Sequence, residues 1–474
     1  MKKSKNVKLT LIMLSLIVFF TGFVSVFGID NKDNIKVSEN SENVINIAMA
    51  LDEGYLYPTV VSMISMLENK GKDSVYHYYI MHPSEFSEKS KMILRSTGEK
   101  YPNCVVNLID MENKYNGARQ GHVTTPAYYR LSLSDLLPNE DKILWLDGDT
   151  LIFKDLKEMF SVDMTGYCYK GFLDYPHHLR ELENFGIKSK NYICDGVMVV
   201  NLKELRKHNA VKRYEDFITA NNDRLSAHDQ TAVNVVFHDK IGVLPAKYCL
   251  FNFHTEQEAM EYPKRLQSKQ KYSENEMKNA FNNPHLFHYV KFKPWRGHKC
   301  RNGLINGIEV WWKYAEKSKF FNEIKDKYAI KDGIYVIESV LDNNKILGVD
   351  FNNINKSSLN VKLIDKSKNG NQVFKVKYNK DGCYEIQSLE TEKLLNVSGA
   401  KKENATNIDE YKKNGTDAQK WFIFKKDQGK YVIASKCNQK CVDVCSSENE
   451  AGTNIQCWEF NNTDAQKFKF RKIA

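Results

Sequence analysis

The chain has 474 residues, 42% of them hydrophobic and 27% charged, with a formal net charge of +10 at pH 7. At about 100–200 residues per domain that length excludes one compact core and predicts two or three, while the composition excludes a chain disordered throughout. The positive charge comes from dispersed lysines without an arginine cluster, which favours solubility and attraction to anionic surfaces over nucleic-acid binding.

Lys2, Lys3, Lys5 and Lys8 precede an apolar run from Leu9 to Phe27. Residues 1–28 therefore read as a signal peptide or an uncleaved signal anchor, because ~20 apolar residues span a bilayer. The basic flank is expected to stay cytoplasmic and the body to be translocated. That predicts a type II membrane protein of the secretory pathway facing a Golgi-like lumen, or a protein exported to the cell surface. Residues 29–43 are polar and read as a stem.

From Val44 onward, short apolar runs alternate with helical periodicity. Val44–Ala50 reads as a strand and Leu51–Pro58 as a loop, followed by a helix with Val60, Ile64 and Leu67 on one face. Val75–Met81 reads as a second strand, a helix opens near Ser87–Ser96, and Val105–Ile109 is a third strand. Strands alternating with helices predict an α/β region with a mostly parallel sheet over residues 44–330. Ligands bind beyond the carboxyl ends of such strands, which directs attention to the loop after Ala50 and the loop after Leu146.

Asp147-Gly148-Asp149 lies between Ile143–Leu146 and Thr150–Phe153. One reading is a type I′ hairpin turn, for which Asp-Gly between apolar runs is a strong signal. The other is a pair of carboxylates at a strand end that hold a divalent cation against a diphosphate. His288, five residues before Lys293-Pro294-Trp295, is either a packed core residue or a third ligand that suits Mn²⁺. Lys293 can meet phosphate charge. Asp229, beside Gln230 at the start of a helical stretch, is an N-cap or a site residue. Arg130 pairs with a structural carboxylate or with substrate.

Residues 331–474 change character to short strands with Asn, Gly and Asp turns. Gln372-Val373-Phe374, Gln419-Lys420-Trp421 and Gln466-Lys467-Phe468 recur at a spacing of forty-seven. No unit of that length buries a hydrophobic face alone, so the three should close on one another. Of ten cysteines, five lie within 104–300 and five within 383–457. Cys437, Cys441, Cys445 and Cys457 do not follow the usual zinc-pair spacing. One or two disulfides stapling this β-rich region are expected instead.

Taken together, the residues from Val44 to Trp295 closely resemble glycosyltransferase family 8, retaining enzymes of the GT-A type. The resemblance implies a Rossmann-like GT-A catalytic domain that moves a hexose, glucose or galactose, from a UDP-sugar to a hydroxyl of a glycan acceptor with the help of Mn²⁺ or Mg²⁺. Asp147, Asp149 and His288 match the metal ligands. Asp52 and Tyr55 match the contacts to the base, and Arg130 and Lys293 match contacts to the donor. Asp229 and Gln230 match the pair beside the donor sugar, with Gln230 near the anomeric carbon, and Asp174 resembles the sugar-side aspartate. Cys194-Asp195-Gly196 stands where the family has Asn-Ala-Gly or Asn-Ser-Gly, which shifts sugar contacts to Asp195. Val290-Lys291-Phe292 stands where a glycine is usual, so diphosphate contact falls to Lys291 or Lys293.

The triple Gln-x-Trp/Phe pattern resembles the ricin-type β-trefoil lectins, in which those aromatics build the core. Asp443, Gln456 and Trp458 of the third repeat match a carbohydrate site. Asn396 and Tyr411 give the second repeat a weaker version, and Gly348 and Ile364 leave the first without one. The alternative to a transferase is a hydrolytic or non-catalytic carbohydrate-binding secreted protein. A hydrolase needs two carboxylates flanking a glycosidic bond, which the Asp147, Asp149, His288 and Lys293 set does not suggest.

Overall fold

A computed structural model of the chain describes residues 43–473 apart from 122, 252, 254, 267, 269–270, 291, 298–304, 350–355 and 368–371. The apolar leader over 1–28 and nearly all of the polar stem fall outside the described residues, as do Lys291 and Cys300. Among the described residues no helix is long and apolar enough to cross a membrane.

The first region is built on a seven-stranded sheet. Its strands are β1 (Val44–Ala50), β2 (Val75–His82), β3 (Cys104–Asp110), β4 (Lys142–Leu146), β6 (Tyr169–Leu173), β7 (Ile193–Asn201) and β8 (Ile241–Val243), in the order β3-β2-β1-β4-β7-β6-β8. Pairings β1–β2, β2–β3, β1–β4 and β6–β8 are parallel, whereas β7 is antiparallel to both β4 and β6. The expected parallel sheet is thus present with one strand reversed. A second, three-stranded sheet joins β5 (Thr150–Ile152), β10 (Leu286–His288) and β9 (Leu250–Phe251), with β10 antiparallel to β5.

Helix α1 (Leu56–Glu68) starts earlier than the sequence suggests, so the loop after β1 is only residues 51–55. Pro58 sits in the first helical turn, where its missing N–H costs nothing. Every residue from Leu56 to Leu67 is buried, because the helix packs against β5 of the small sheet, against the helix over Glu88–Glu99 and against the helix α4 (Ile305–Ala315). Two of the α1 hydroxyls bond to β5 inside the protein. Ser62 Oγ meets Thr150 Oγ1 at 2.9 Å, and Ser65 Oγ accepts from Ile152 N at 3.0 Å. Helix α2 (Glu88–Glu99) begins where expected, capped by Ser87, whose side chain accepts from Ser90 N.

The C-terminal region forms the closed body that its repeat demands. Each of three repeats supplies four strands: β11 (Gly333–Ser339), β12 (Lys345–Val349), β13 (Ser358–Asp365) and β14 (Phe374–Tyr378); β15 (Cys383–Ser388), β16 (Leu394–Val397), β17 (Thr406–Tyr411) and β18 (Trp421–Lys425); β19 (Tyr431–Ser435), β20 (Cys441–Val444), β21 (Ile455–Trp458) and β22 (Phe468–Lys472). The first and last strands of the repeats pair in a ring, β11-β14-β15-β18-β19-β22 and back to β11. The middle strands pair as hairpins, β12–β13, β16–β17 and β20–β21. Phe374, Trp421 and Phe468, each opening a ring strand, are fully buried. Gln419 and Gln466 tie the preceding loop by accepting from Asn414 N and Asn461 N, both at 2.9 Å. Gln372 of the first repeat accepts from Val349 N at 2.7 Å and donates to Ser388 Oγ and Glu410 Oε1.

No disulfide joins the described cysteines, nine of which are free thiols. The expected staple is therefore absent among the described residues. Ring closure around three buried aromatics supplies the constraint that a disulfide was expected to give. One continuous apolar core runs from Val60 and Leu144 through Trp295, Trp311 and Trp312 to Tyr384 and Phe424, so the two regions share a packed interface.

Candidate functional site

The site lies at the carboxyl end of β4, where the large and small sheets meet. Asp147 follows β4 and Asp149 precedes β5, but these strands belong to different sheets and do not pair. Gly148 does not have a positive φ, which a type I′ turn requires at both central positions. The hairpin reading is thereby excluded. Gly148 is needed for space instead, since a Cβ there would stand 2.4 Å from Thr59 Oγ1 of α1.

The small sheet delivers the third group. The β10–β5 register places His288 opposite Thr150, and Tyr289 N donates to Asp149 O at 3.0 Å. One ligand atom from each of Asp147, Asp149 and His288 falls within 4.8 Å of the others. His288 Nε2 is 3.2 Å from Asp149 Oδ1 and 3.9 Å from Asp147 Oδ2. Asp149 Oδ1 is buried without a hydrogen-bond partner, a costly state that a cation relieves. Two carboxylates and an imidazole, with one orphaned oxygen among them, fit a divalent cation.

Around this cluster the charges are arranged on Arg130, which is only 5% exposed. Its Nη2 is 2.9 Å from Asp147 Oδ1, its Nη1 is 2.9 Å from Asp195 Oδ1, and its Nε is 3.0 Å from Asp229 Oδ2. The guanidinium also lies over the Trp145 ring at 4.5 Å. Arg130 is therefore committed to three aspartates and acts as their organiser. Asp229 is the first residue of helix α3 (Asp229–Val236) and faces Arg130; the N-cap position belongs to His228. His228 has φ +58° and ψ −125°, strain of the kind stored beside functional groups.

Gln230 links the acidic groups on the sugar side. Its Nε2 donates to Asp174 Oδ2 at 2.8 Å and its Oε1 accepts from Asp195 N at 3.2 Å. One turn later Asn234 clasps the backbone of Ile193 in β7, accepting at 2.8 Å and donating at 2.9 Å. Asp174, Asp195, Gln230, Asp229, Arg130 and Asp147 thus form one connected string. Lys293 Nζ donates to Asp149 Oδ2 and to Tyr289 O.

Burial pushes the Asp149 carboxyl up, yet Lys293 and His288 outweigh it and hold the group well below the usual range. Burial raises Asp195 well above that range against the pull of Arg130, with Asp229 adding to the rise. Asp229 is raised by burial as well. Acidic groups outnumber cations in this site, a second reason for it to accept a divalent ion.

On the opposite rim, Asp52 is absorbed in ordering its own loop. Its Oδ1 accepts from Gly54 N at 2.8 Å and Tyr55 N at 3.2 Å, and its Oδ2 from Thr124 Oγ1 at 2.8 Å. Tyr55 meets Trp295 edge to face at 6.2 Å. Two contributors escaped the sequence reading. Trp145 Nε1 donates to Asp147 Oδ1 at 2.9 Å, and Cys194 Sγ lies 3.8 Å from His288 Nδ1. Trp145 stands two residues before Asp147, a period-two signal; nothing in the sequence pairs Cys194 with a residue ninety-four positions away.

In the C-terminal region Asp443 and Gln456 are directly paired across β20–β21, with Gln456 Nε2 donating to Asp443 Oδ1 at 3.1 Å. Trp458 is 38% exposed, unusual for a large aromatic here. In the second repeat Asn396 Nδ2 donates to Asp409 Oδ1 at 2.7 Å, and Ser358 occupies Asp409 Oδ2. In the first repeat the Ile364 side chain closes over Gly348.

A model of glycosyl transferase family 8 matches residues 46–299, and a model of the ricin-type beta-trefoil lectin domain-like family matches residues 370–458. The general stress protein A of Bacillus subtilis is 24% identical over 267 residues, covering 54% of this chain and 88% of that protein. A lipopolysaccharide 1,2-glucosyltransferase of Escherichia coli is 23% identical over 252 residues, covering 50% of this chain and 70% of that one. The bifunctional glycosyltransferase WbbM, solved without ligand, shares the fold with a TM-score of 0.50 at 16% identity, over 60% of this chain and 52% of that chain.

Proposed function

The chain belongs to glycosyl transferase family 8, and we propose that it moves a hexose from a UDP-sugar to a hydroxyl of a glycan, with retention at the anomeric carbon. The observation that carries this reading is the cluster of Asp147, Asp149 and His288 with the orphaned Asp149 Oδ1 at its centre. A hexose is the transferred group in the name of the E. coli relative. The catalytic unit is assigned to residues 44–330 and the sugar-binding unit to 331–474.

Asp147, Asp149 and His288 would hold Mn²⁺ or Mg²⁺, which supplies charge neutralisation for the departing diphosphate. Tyr55 and the loop ordered by Asp52 form the base end of the donor site. Lys293, already on Asp149, is within reach of phosphate charge on the same side. Asp174, Asp195 and Gln230 face the hexose, and their mutual hydrogen bonds fix the Gln230 amide beside the anomeric carbon. Asp174 already accepts from Gln230 Nε2 and from Tyr175 N at 2.7 Å, which makes it a poor covalent nucleophile. The acceptor oxygen therefore bonds to the anomeric carbon as the bond to the phosphate oxygen breaks, and the acceptor proton passes to the departing phosphate.

Asp443, Gln456 and Trp458 would hold a carbohydrate on the trefoil. The stacking face of Trp458 suits the apolar face of a pyranose. The apolar leader would deliver the enzyme to the secretory pathway or the cell surface.

The decisive experiment is UDP release from UDP-glucose and UDP-galactose by the purified chain with MnCl₂ and with chelator, beside Asp149→Ala. Metal-dependent release that the variant loses supports the transferase. Absence of donor binding by calorimetry would sink it and leave a lectin.

A further inference from the structure

The segment that follows His288 is held from two sides. Toward the donor site, Lys293 bonds to Asp149 and the Trp295 ring meets Tyr55. Arg296 N donates to Lys293 O at 2.9 Å, closing a turn over 293–296. Toward the trefoil, Gly297 lies flat against the Phe424 ring. It has φ +57°, and a Cβ there would stand 2.1 Å from Phe424 Cγ. Lys426 Nζ donates to the carbonyls of both Arg296 and Gly297. Phe424 belongs to ring strand β18 (Trp421–Lys425) and is buried.

The turn itself has no regular secondary structure, so its placement depends on what it packs against. Only glycine lets the backbone approach the Phe424 ring this closely, and the left-handed φ again favours glycine. Two carbonyls directed at one ammonium fix the turn's orientation. The residues so fixed, Lys293 and Trp295, are the ones that reach Asp149 and Tyr55.

We propose that Phe424 and Lys426 of the trefoil are positioning residues for the donor site, holding the 293–297 turn so that Lys293 and Trp295 stand ready for the diphosphate and base. This rests on the transferase reading above. The trefoil then contributes to transfer through its body as well as through any sugar it binds. Preorganisation of this kind appears as donor affinity, because a loose turn must be ordered when the donor binds.

The test uses Phe424→Ala and Lys426→Met in the full chain, with Lys426→Arg as the conservative variant and Tyr378→Phe as a control. Tyr378 is a trefoil residue that donates to Glu316 across the same interface. UDP affinity is measured by calorimetry with MnCl₂, the donor KM is separated from kcat, and backbone hydrogen exchange is followed over 289–297. The expected result is a loss of UDP affinity of about tenfold to hundredfold, the cost of ordering a loose loop and its side chains when the ligand binds. Exchange over 289–297 should quicken, Lys426→Arg should recover, and Tyr378→Phe should behave as the wild type. Unchanged affinity and exchange in Phe424→Ala and Lys426→Met would overturn the proposal, and so would an equal loss in Tyr378→Phe. Faster exchange in a protein that never binds UDP would uphold the positioning and overturn the donor reading instead.

Discussion

Lys293 Nζ bonds to Asp149 Oδ2, the oxygen opposite the one that faces His288. The ammonium group therefore neutralises the same carboxylate that would bind a cation, and both can be satisfied at once because they use different oxygens. Lys293→Met is expected to leave Mn²⁺ binding within about threefold of wild type while weakening UDP binding at least about tenfold, since only the latter loses a charge-assisted contact. Parallel titrations with MnCl₂ alone and with UDP separate the two.

Gly148 and Thr59 form a second pair that can be tested together. Gly148→Ala places a methyl group on Thr59 Oγ1 and should displace Asp147 or Asp149, reducing metal affinity by about 10–100-fold, as disturbance of a ligand's support does. Thr59→Ala removes the obstructing oxygen, and the double variant should recover most of that loss. Equal affinities for single and double variants would show that the close approach does not shape the cluster.

Arg130→Met leaves the buried carboxylates of Asp195 and Asp229, and the half-buried one of Asp147, without their shared cation. Breaking a buried pair from one side costs about 3–5 kcal/mol, so a fall in denaturant midpoint is expected. Arg130→Lys should rescue little, because an ammonium group cannot reach three carboxylates in a fixed fork.

On the trefoil, Trp458→Ala should abolish retention on immobilised carbohydrate while leaving donor hydrolysis unchanged. The ring is exposed, so its removal should cost little stability. A variant that still binds glycans would move the site to another repeat.

Glu410 gives a pH prediction. It is buried and accepts from Gln372 Nε2 and Thr391 Oγ1, both at 2.6 Å. Burial raises its pKa to about 7. The folded protein thus holds this proton more tightly than the unfolded chain, so the associated stability is present below the ordinary glutamate pKa and lost as pH rises through about 7. Glu410→Gln should flatten that slope, with a gain approaching about 3 kcal/mol at pH 8.5 relative to pH 4. Thermal melting across that range measures it.

Much of this arrangement was legible in the sequence because its signals are local. Val44–Ala50 and Val75–Met81 are largely apolar runs of strand length, interrupted only by Asn46 and His77, Ser87 announces a helix, and a spacing of forty-seven residues betrays a three-fold body. What stayed hidden depends on contacts between distant segments. Gly148 looked like a turn glycine because Asp-Gly is a turn signal, but its neighbour in space is Thr59 on α1. Arg130 reads as a partner of a structural carboxylate or of substrate, but the sequence does not name its three carboxylate partners, which lie at 147, 195 and 229. The cysteine spacing suggested disulfides because compartment was inferred from the leader, whereas strand register decides which thiols can meet.

The cation cluster draws Asp147 from the margin of the large sheet and His288 from the small one, with more than a hundred residues between them. A chain leaving the ribosome therefore carries two of the three ligands while residues 150–287 are still being added, and the cluster closes only when β10 docks on β5. Cation uptake during translation would mark the moment that the second sheet locks into place. In an arrested-chain experiment, metal capture should begin only once residue 288 has emerged into free solution.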